Sequence, residues 1–367
     1  MLQCNKAIPV TLSVSYPLAP VPRQEPMPFP RRPLRMINLA LQGGGAHGAF
    51  TWGVLDRLLE DGRIGFDGAS GTSAGAMNAV VLAHGLAQGG SDGAREALEK
   101  FWKAVAGGMP ASSTTVSEDG KTVTLAPAFR RMLAWANYFS PEQFNPFDLN
   151  PLRDVIAAQV DFERLRTRSP VKLFIAATNA NTGKLRLFQG AELSAEAVLA
   201  SACLPTVHRA VEIDGAPYWD GGYSANPAVF PLFYECRSRD ILLVLLSPLQ
   251  HKETPSSAQD IRERTLEIAF TSTFLREMRM FAHLRDYVKK TRFPIGRFER
   301  RIAHTNFHVI DAQEFMDDLT AESKLAANWK FFEALRDLGR ERAGAWLALH
   351  YERIGKASSV EIADLFY

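Results

Sequence analysis

Three glycine-rich motifs hold the residues of this sequence that could do chemistry. They are Gly43-Gly-Gly-Ala-His-Gly48, Gly71-Thr-Ser-Ala-Gly75 and Asp220-Gly-Gly222. The second motif places Ser73 between glycines, whose missing side chains permit a strained strand-to-helix turn that exposes the serine hydroxyl. We interpret Ser73 as a nucleophile, because such a turn presents the hydroxyl for attack. The plain alternative is a serine that only caps a helix.

The first motif follows an apolar run suited to a buried strand and opens a helical stretch. Backbone amides in such a loop can converge on an anion, because no side chain covers them. In a hydrolase this loop stabilises the oxyanion of a tetrahedral intermediate. The candidate donors of this predicted oxyanion hole are the amides of Gly43, Gly44, Gly45 and Ala46.

The same loop also admits a nucleotide-binding interpretation. Its spacing, Gly43-x-Gly45-x-x-Gly48, matches a dinucleotide fingerprint, and Asp67 lies about 20 residues on, where an acid that binds ribose is expected. A dinucleotide fold does not require a nucleophile on its own glycine-flanked turn within six residues of that acid. The position of Ser73 therefore favours the hydrolase interpretation over the nucleotide one.

A nucleophilic serine needs a base, and Asp220 is the candidate that stands out. Two glycines follow it directly after a predicted strand, which allows its carboxylate to approach another backbone element closely. An aspartate in a simple turn is the alternative. The eight histidines include none with a distinctive setting, so a Ser-His-Asp triad stays open without specific support.

Alternating strands and helices predict an α/β fold: a three-layer α/β/α arrangement with a mainly parallel central sheet. A hairpin over 211–219, turning at Asp214-Gly215, leads to Asp220 just past its end. Two amphipathic helices follow, carrying Leu266 and Leu325 among their apolar positions. The predicted buried strands cover 36–41, 64–67, 171–177 and 241–246, and the predicted helices of the first half cover 50–59, 74–86 and 94–105.

The chain divides into a proline-rich extended tail over 1–34, a hydrolase domain over 35–355 and a C-terminal tail over 356–367. Within the domain, residues 36–230 carry the motifs and residues 255–355 form a helical part. The stretch 107–150, polar and then aromatic, is a candidate lid.

Composition limits the partners and the compartment. The 42 Lys and Arg residues nearly balance the 40 Asp and Glu residues, which gives no case for nucleic acid. Three widely spaced cysteines predict reduced thiols, and the lack of a signal peptide or a long apolar run predicts a cytoplasmic protein. Seven basic residues over 285–301 suggest peripheral contact with anionic membranes. The oligomeric state cannot be read from the sequence.

Taken in order, the three motifs closely resemble those of the patatin-like phospholipase family. The resemblance covers about residues 36–230 and includes Ala200-Ser-Ala-Cys-Leu-Pro205, which is similar to a small-residue segment ahead of the family's aspartate. It implies a Ser–Asp dyad of Ser73 and Asp220, without a histidine base and without a cofactor. The implied oxyanion hole is the loop described above, and the supporting glycines are Gly48, Gly71, Gly75, Gly221 and Gly222.

The implied activity is hydrolysis of carboxylic esters in phospholipids, lysophospholipids or related acyl lipids through an acyl-enzyme. An α/β-hydrolase or thioesterase acting on soluble acyl groups and a non-catalytic lipid-binding module are the other possibilities. The family often has Lys or Arg where this chain has His47, so we expect the charge of the loop to depend on pH near 6.5.

Overall fold

The computed structural model describes residues 34–136, 138–290 and 296–367, so the predicted tail lies almost wholly outside the described residues. The strands are β1 Arg35–Leu41, β2 Ile64–Thr72, β3 Thr114–Val116, β4 Val123–Leu125, β5 Lys172–Asn179, β6 Leu185–Phe188, β7 Val211–Ile213, β8 Ala216–Asp220, β9 Asp240–Val244 and β10 Asn306–Ile310. They form a mixed sheet in the order β10-β9-β1-β2-β5-β8-β7, with β6 paired to β5, and a separate β3-β4 hairpin.

Five adjacent strands, from β10 to β5, run parallel, and β6, β7 and β8 are antiparallel to their partners. Helices flank the sheet, so the predicted mainly parallel α/β class with a helical C-terminal part is confirmed. The helices are α1 Gly48–Asp61, α2 Ala74–Gly107, α3 Pro127–Ala136, α4 Pro141–Phe144, α5 Pro151–Gln159, α6 Phe162–Arg168, α7 Ala195–Ser201, α8 Phe230–Glu235, α9 Ala258–Lys290, α10 Arg297–Ala303, α11 Gln313–Asp317, α12 Trp329–His350 and α13 Ile362–Phe366.

The sheet separates two apolar cores, as the alternation of side chains along β1 shows. Leu39 and Leu41 pack into one core with α1, α2 and α12, whereas Ala40 packs into the other with α8, α9 and α13. Successive residues of a strand point to opposite faces, so a buried strand needs apolar residues at every position. This explains why the central strands read as continuous apolar runs.

Several elements differ from the sequence prediction. Strand β2 continues to Thr72, beyond the predicted end at residue 67, because pairing with β1 and β5 outweighs the low strand propensity of its glycines. The stretch 107–150 contains the β3-β4 hairpin and short helices. The two predicted amphipathic helices form and bury later positions of their apolar patterns, Phe274 on α9 and Phe332 on α12 among them. The first positions differ, because Leu266 is 58% exposed and Leu325, 42% exposed, precedes α12. Among the described residues, no helix is both long and apolar enough to cross a bilayer.

Helices α1 and α12 approach closely at two glycines. A Cβ atom on Gly53 would lie 2.0 Å from the carbonyl oxygen of Arg336, and one on Gly339 would lie 2.2 Å from that of Phe50. Both neighbours are backbone atoms, which cannot turn aside as a side chain can. The contact that holds α12 over the first core therefore requires glycine at both positions.

Replacing Gly339 with alanine is expected to lower the free energy of unfolding by at least about 2 kcal/mol, because the added methyl group overpacks the helix contact. Urea unfolding monitored by circular dichroism measures this change. Gly344→Ala is the matched control on the same helix, because its nearest neighbour, Arg57 Nε, is 3.6 Å away. The control should be neutral or stabilising by about 0.5–1 kcal/mol, and equal losses in the two variants would contradict the prediction.

Candidate active site

Ser73 occupies a sharp turn between the end of β2 and the start of α2. Its backbone angles, φ 54° and ψ −123°, lie in a region that residues with a side chain rarely adopt. Such strain costs about 1–3 kcal/mol and persists only where the surrounding structure enforces it. The turn places Ser73 at the N-terminus of α2, where the free amides and the helix dipole favour negative charge.

The glycines that flank Ser73 permit close backbone contacts. A Cβ atom on Gly71 would lie 2.5 Å from the Gly75 carbonyl oxygen, and one on Gly75 would lie 2.1 Å from that of Leu41. The turn itself is fastened by Ser201, whose Oγ accepts a 2.9 Å hydrogen bond from the Ser73 amide. The sequence pattern of this motif therefore follows from packing around the serine.

Sheet register brings Asp220 next to Ser73. Thr72 pairs with Ala176, and Asp220 pairs with the next residue, Ala177, on the same side of β5, because β6 pairs with both Ala176 and Ala177 on the opposite side. Asp220 therefore lies directly beyond the end of β2 along the same edge of β5, where the side chain of Ser73, the residue after Thr72, can reach it. Asp220 is the last residue of β8 rather than the residue after it, a shift of one position from the prediction.

The carboxylate of Asp220 is buried, with 1% of the residue exposed. It accepts a 2.7 Å hydrogen bond from the Gly222 amide, and the Ser73 side chain lies near enough to act on its pKa as a hydrogen-bond donor. Burial raises the pKa of Asp220 to about 7, and the Gly222 and Ser73 hydrogen bonds oppose that rise. The structure thus joins the two residues that the sequence singled out, and it gives the carboxylate a pKa suited to proton transfer at neutral pH.

Two glycines after Asp220 are also required by packing. A Cβ atom on Gly221 would lie 2.2 Å from the Ala176 carbonyl oxygen, and one on Gly222 would lie 2.2 Å from the ring of Phe270. These contacts press the turn against β5 and α9. They explain why the aspartate is followed by two residues without side chains.

The glycine-rich loop 43–48 lies directly beside the serine. A Cβ atom on Gly43 would be 2.8 Å from Ser73 Cβ. The Gly43 amide donates a 2.7 Å hydrogen bond to Asn226 Oδ1, so this amide is engaged within the protein. Gly45 has φ 58° and packs against the Lys324 carbonyl oxygen, which fixes the far end of the loop.

The amides of Gly44 and Gly45 donate no hydrogen bond within the described part of the chain. Both amides are therefore free to bind a substrate oxygen. Ala46, the next candidate, lies with Gly45 in a short 3-10 turn, and both residues line the cavity that contains Ser73. Of the four candidate donors, Gly43 differs, because its role is to hold the loop through Asn226.

The prediction for His47 is wrong. His47 is 2% exposed, and its Nε2 lies 2.7 Å from Ser323 Oγ. Burial, with a smaller contribution from the nearby Lys324 charge, lowers the pKa of His47 to about 3. The imidazole is therefore neutral throughout the physiological range, and the charge of the loop does not change near pH 6.5.

The nucleotide interpretation also fails at Asp67. This residue lies within β2, away from the glycine-rich loop at the strand end. Its Oδ2 accepts hydrogen bonds from the amides of Arg237 and Ser238, at 2.5 and 2.7 Å. The carboxylate that would bind a ribose is thus occupied in joining β2 to the segment before β9.

An apolar cavity of about 310 Å³ opens beside Ser73. Helices α2 and α5 supply the largest share of its wall, α12 contributes Phe332, and Lys324 and His208 are among its few polar neighbours. No hydrogen bond joins a histidine to Ser73 in the described residues, and burial lowers the pKa of His208. The cavity has the size and lining for an acyl chain. Its apolar lining includes Met77, Phe101, Trp102, Val105, Met109, Leu152, Val155, Leu204 and Phe332.

Comparison with models of known protein families shows which family has these three motifs. The model of the patatin-like phospholipase family matches residues 39–233, which is more than half of the 367 residues and includes all three motifs. The chain belongs to the patatin-like phospholipase family. Membership places it among lipid acyl hydrolases.

No curated protein matches the chain. One of the solved structures similar to this patatin-like chain is the crystal structure of VipD from Legionella pneumophila. The likeness covers 90% of this chain and 73% of that chain, at 16% sequence identity and a TM-score of 0.38.

Sequence reasoning about this patatin-like protein missed two residues that hold the site. Asn226 orients the glycine-rich loop, and Ser201 orients the serine turn. Ser201 lies in the small-residue segment 200–205 that carried part of the family resemblance, but its type gave no sign of a contact with Ser73. Asn226 precedes Pro227 six residues after Asp220, a spacing that could have drawn attention to it.

The buried carboxylate should reduce stability at high pH. The folded-state pKa of Asp220, about 7, lies above its ordinary value of 3.8, so the residue contributes stability below pH 4 that is lost as the pH rises through 7. Asp220→Asn should therefore be more stable than the native chain by roughly 2–4 kcal/mol at pH 8 and lose this advantage toward pH 4.

Thermal unfolding of both proteins across this pH range measures the difference. The exposed Asp214→Asn is the matched control and should show no comparable dependence. A stability difference for Asp220→Asn that is constant from pH 4 to pH 8 would show that the carboxylate ionises as it does in water.

Proposed function

We propose that this patatin-like protein hydrolyses carboxylic esters of acyl lipids, with Ser73 as nucleophile and Asp220 as its base. The observation that carries the proposal is the position of Ser73 beside the buried Asp220 carboxylate at the edge of an apolar cavity. Phospholipids and lysophospholipids are the proposed substrates. Their acyl chains fit the lining of the cavity, and their ester carbonyl would then lie at Ser73.

In the proposed first step, Ser73 Oγ attacks the acyl carbonyl carbon while the Asp220 carboxylate accepts the hydroxyl proton. The resulting oxyanion accepts hydrogen bonds from the amides of Gly44 and Gly45. Preorganised donors of this kind are worth about 10²–10³ in rate each, because their dipoles need no reorientation as the charge develops. Collapse breaks the ester bond, and Asp220 returns its proton to the departing alcohol or lysolipid.

In the second step, water attacks the acyl-enzyme while Asp220 accepts a proton from it. A second oxyanion forms in the same place and collapses to release the fatty acid and restore the serine. A pKa of about 7 suits this double role, because the carboxylate must accept and return a proton in each cycle. No histidine takes part in this scheme.

Removing either member of the dyad should abolish turnover. Ser73→Ala should lose at least about 10⁴-fold in kcat on phospholipid and on para-nitrophenyl esters, and Asp220→Asn at least about 10³-fold. Initial-rate assays and labelling by a fluorophosphonate probe measure the two losses.

In the native chain, kcat/KM should rise with pH through about 7 as Asp220 ionises and then reach a plateau.

His208→Gln is the control for these variants, because this histidine shares the cavity with Ser73. The dyad predicts a loss of less than about tenfold in this variant. A loss as large as that of Asp220→Asn would indicate a histidine base instead. Probe labelling of Ser73→Ala at the native rate would place the nucleophile elsewhere.

Asn226→Ala should lower kcat roughly ten- to a hundredfold with a smaller change in KM, because the loop would lose the bond that orients it. The loss should be smaller than that of a direct oxyanion donor. Asn38→Ala is the matched control: Asn38 is also fully buried, but it bonds Ser238 at the opposite end of the sheet. The control should lose stability and retain kcat, and parallel losses of kcat in both variants would remove the specific role of Asn226.

A further inference from the structure

A group of exposed apolar side chains lies on the segment that leads into the wall of the Ser73 cavity. The most exposed are Tyr138 at 86%, Phe147 at 83%, Leu149 at 69% and Trp135 at 62%. Large apolar side chains are individually common on protein surfaces, but a contiguous group beside a binding site marks an interaction surface. We call this group the rim patch, and it consists of Met132, Trp135, Tyr138, Phe139, Phe147 and Leu149.

The segment that carries the rim patch is fastened near both sides of the cavity. Arg130 pairs with Glu322 at 2.8 Å, two residues before Lys324 in the cavity wall. Arg209, next to His208 in the wall, donates hydrogen bonds to the carbonyl oxygens of Asn145 and Pro146, at 3.2 and 3.0 Å. Met132, Trp135, Tyr138 and Phe139 lie between these anchors along the chain, and Phe147 and Leu149 follow the second one, so both parts of the patch are tied to elements of the cavity wall.

The chain continues directly from the rim patch into the cavity. Leu149 is followed by Asn150, Pro151 and Leu152, all of which line the cavity. An acyl chain could therefore leave an apolar phase at the patch and enter the cavity without crossing water. A protein partner could bind the exposed apolar side chains, but it would not require that they lead into the cavity.

We propose that the rim patch is the surface on which this protein docks to a phospholipid bilayer. Trp and Tyr side chains with an apolar body and a polar tip favour the headgroup level of a membrane. The choice of a bilayer over a protein partner rests on the proposed lipid hydrolysis. Because the patch is apolar, its binding should depend little on anionic lipid or on salt.

The basic stretch 285–301 is a weaker docking surface than its composition suggested. Arg301 donates to the carbonyl oxygens of Phe233 and Cys236, and Arg285 is 11% exposed by side chain and lies 3.8 Å from Glu361. These two cations act within the fold. Residues 291–295 of this stretch lie outside the described residues.

Vesicle flotation with full-length Ser73→Ala protein tests docking apart from catalysis. On phosphatidylcholine vesicles, adding Trp135→Ser and Phe147→Ser should weaken binding at least about tenfold. The matched control adds Leu266→Ser and Leu349→Ser, which replace residues that are 58% and 74% exposed on other helices. The control should bind as the parent does, and equal binding by patch and control variants would overturn the proposal.

Tryptophan fluorescence gives an independent measurement. Trp135 is the one of the six tryptophans that is exposed, and all six lie in described residues. Vesicles should shift its emission to the blue, and Trp135→Phe should remove the shift. A shift that survives in Trp135→Phe, or binding that requires anionic lipid and is abolished by salt, would overturn the proposal and point to residues 285–301.

The same patch substitutions in the active chain separate docking from chemistry. Hydrolysis of phosphatidylcholine vesicles should fall at least about tenfold, while hydrolysis of soluble para-nitrophenyl butyrate should stay within about twofold. Absence of all hydrolysis would contradict the proposed function but leave the flotation result standing. Self-association that the patch variant abolishes, without vesicle binding, would instead assign the surface to a second copy of the chain.

Discussion

The proposed site depends on one contact, that of the Ser73 hydroxyl with a carboxylate that the fold removes from water. Burial makes ionisation of Asp220 unfavourable and raises its pKa to about 7, whereas a solvated aspartate would be too weak a base. The strained backbone of Ser73 and the glycines around both residues allow the two side chains to come together. Each lowers stability, and the two large apolar cores on either side of the sheet offset the loss.

One short segment holds both the proposed base and the glycine-rich loop. Asp220 ends β8, and Asn226, six residues later, holds the Gly43 amide. Thr72, just before the nucleophile, donates to the Ala225 carbonyl oxygen at 2.8 Å. Glu277 of α9 accepts a 3.0 Å hydrogen bond from the Val229 amide, which ties the far end of this segment to the second core. Burial also raises the pKa of Glu277 to about 7, so the proposed proton-transfer role of Asp220 is best judged by comparison with Asp220→Asn.

Much of this architecture could be predicted from the sequence, because backbone constraints leave local signs. The glycines at 71, 75, 221 and 222 mark close contacts, and the apolar runs mark strands buried on both faces. What could not be predicted depends on residues distant in the chain. The neutrality of His47 follows from burial beside Ser323, the length of β2 from pairing with its neighbours, and the role of Asn226 from a contact 183 residues away. No local pattern encodes these contacts.

The most direct test of the dyad is the ionisation of Asp220 itself. Nuclear magnetic resonance of carboxyl-labelled aspartate, with the signal assigned through Asp220→Asn, gives its pKa in the native chain and in Ser73→Ala. We expect a pKa near 7 in the native chain and a higher value in Ser73→Ala, because the serine hydrogen bond stabilises the carboxylate. A pKa near 4, or one that does not change when the hydroxyl is removed, would contradict a buried carboxylate in contact with Ser73.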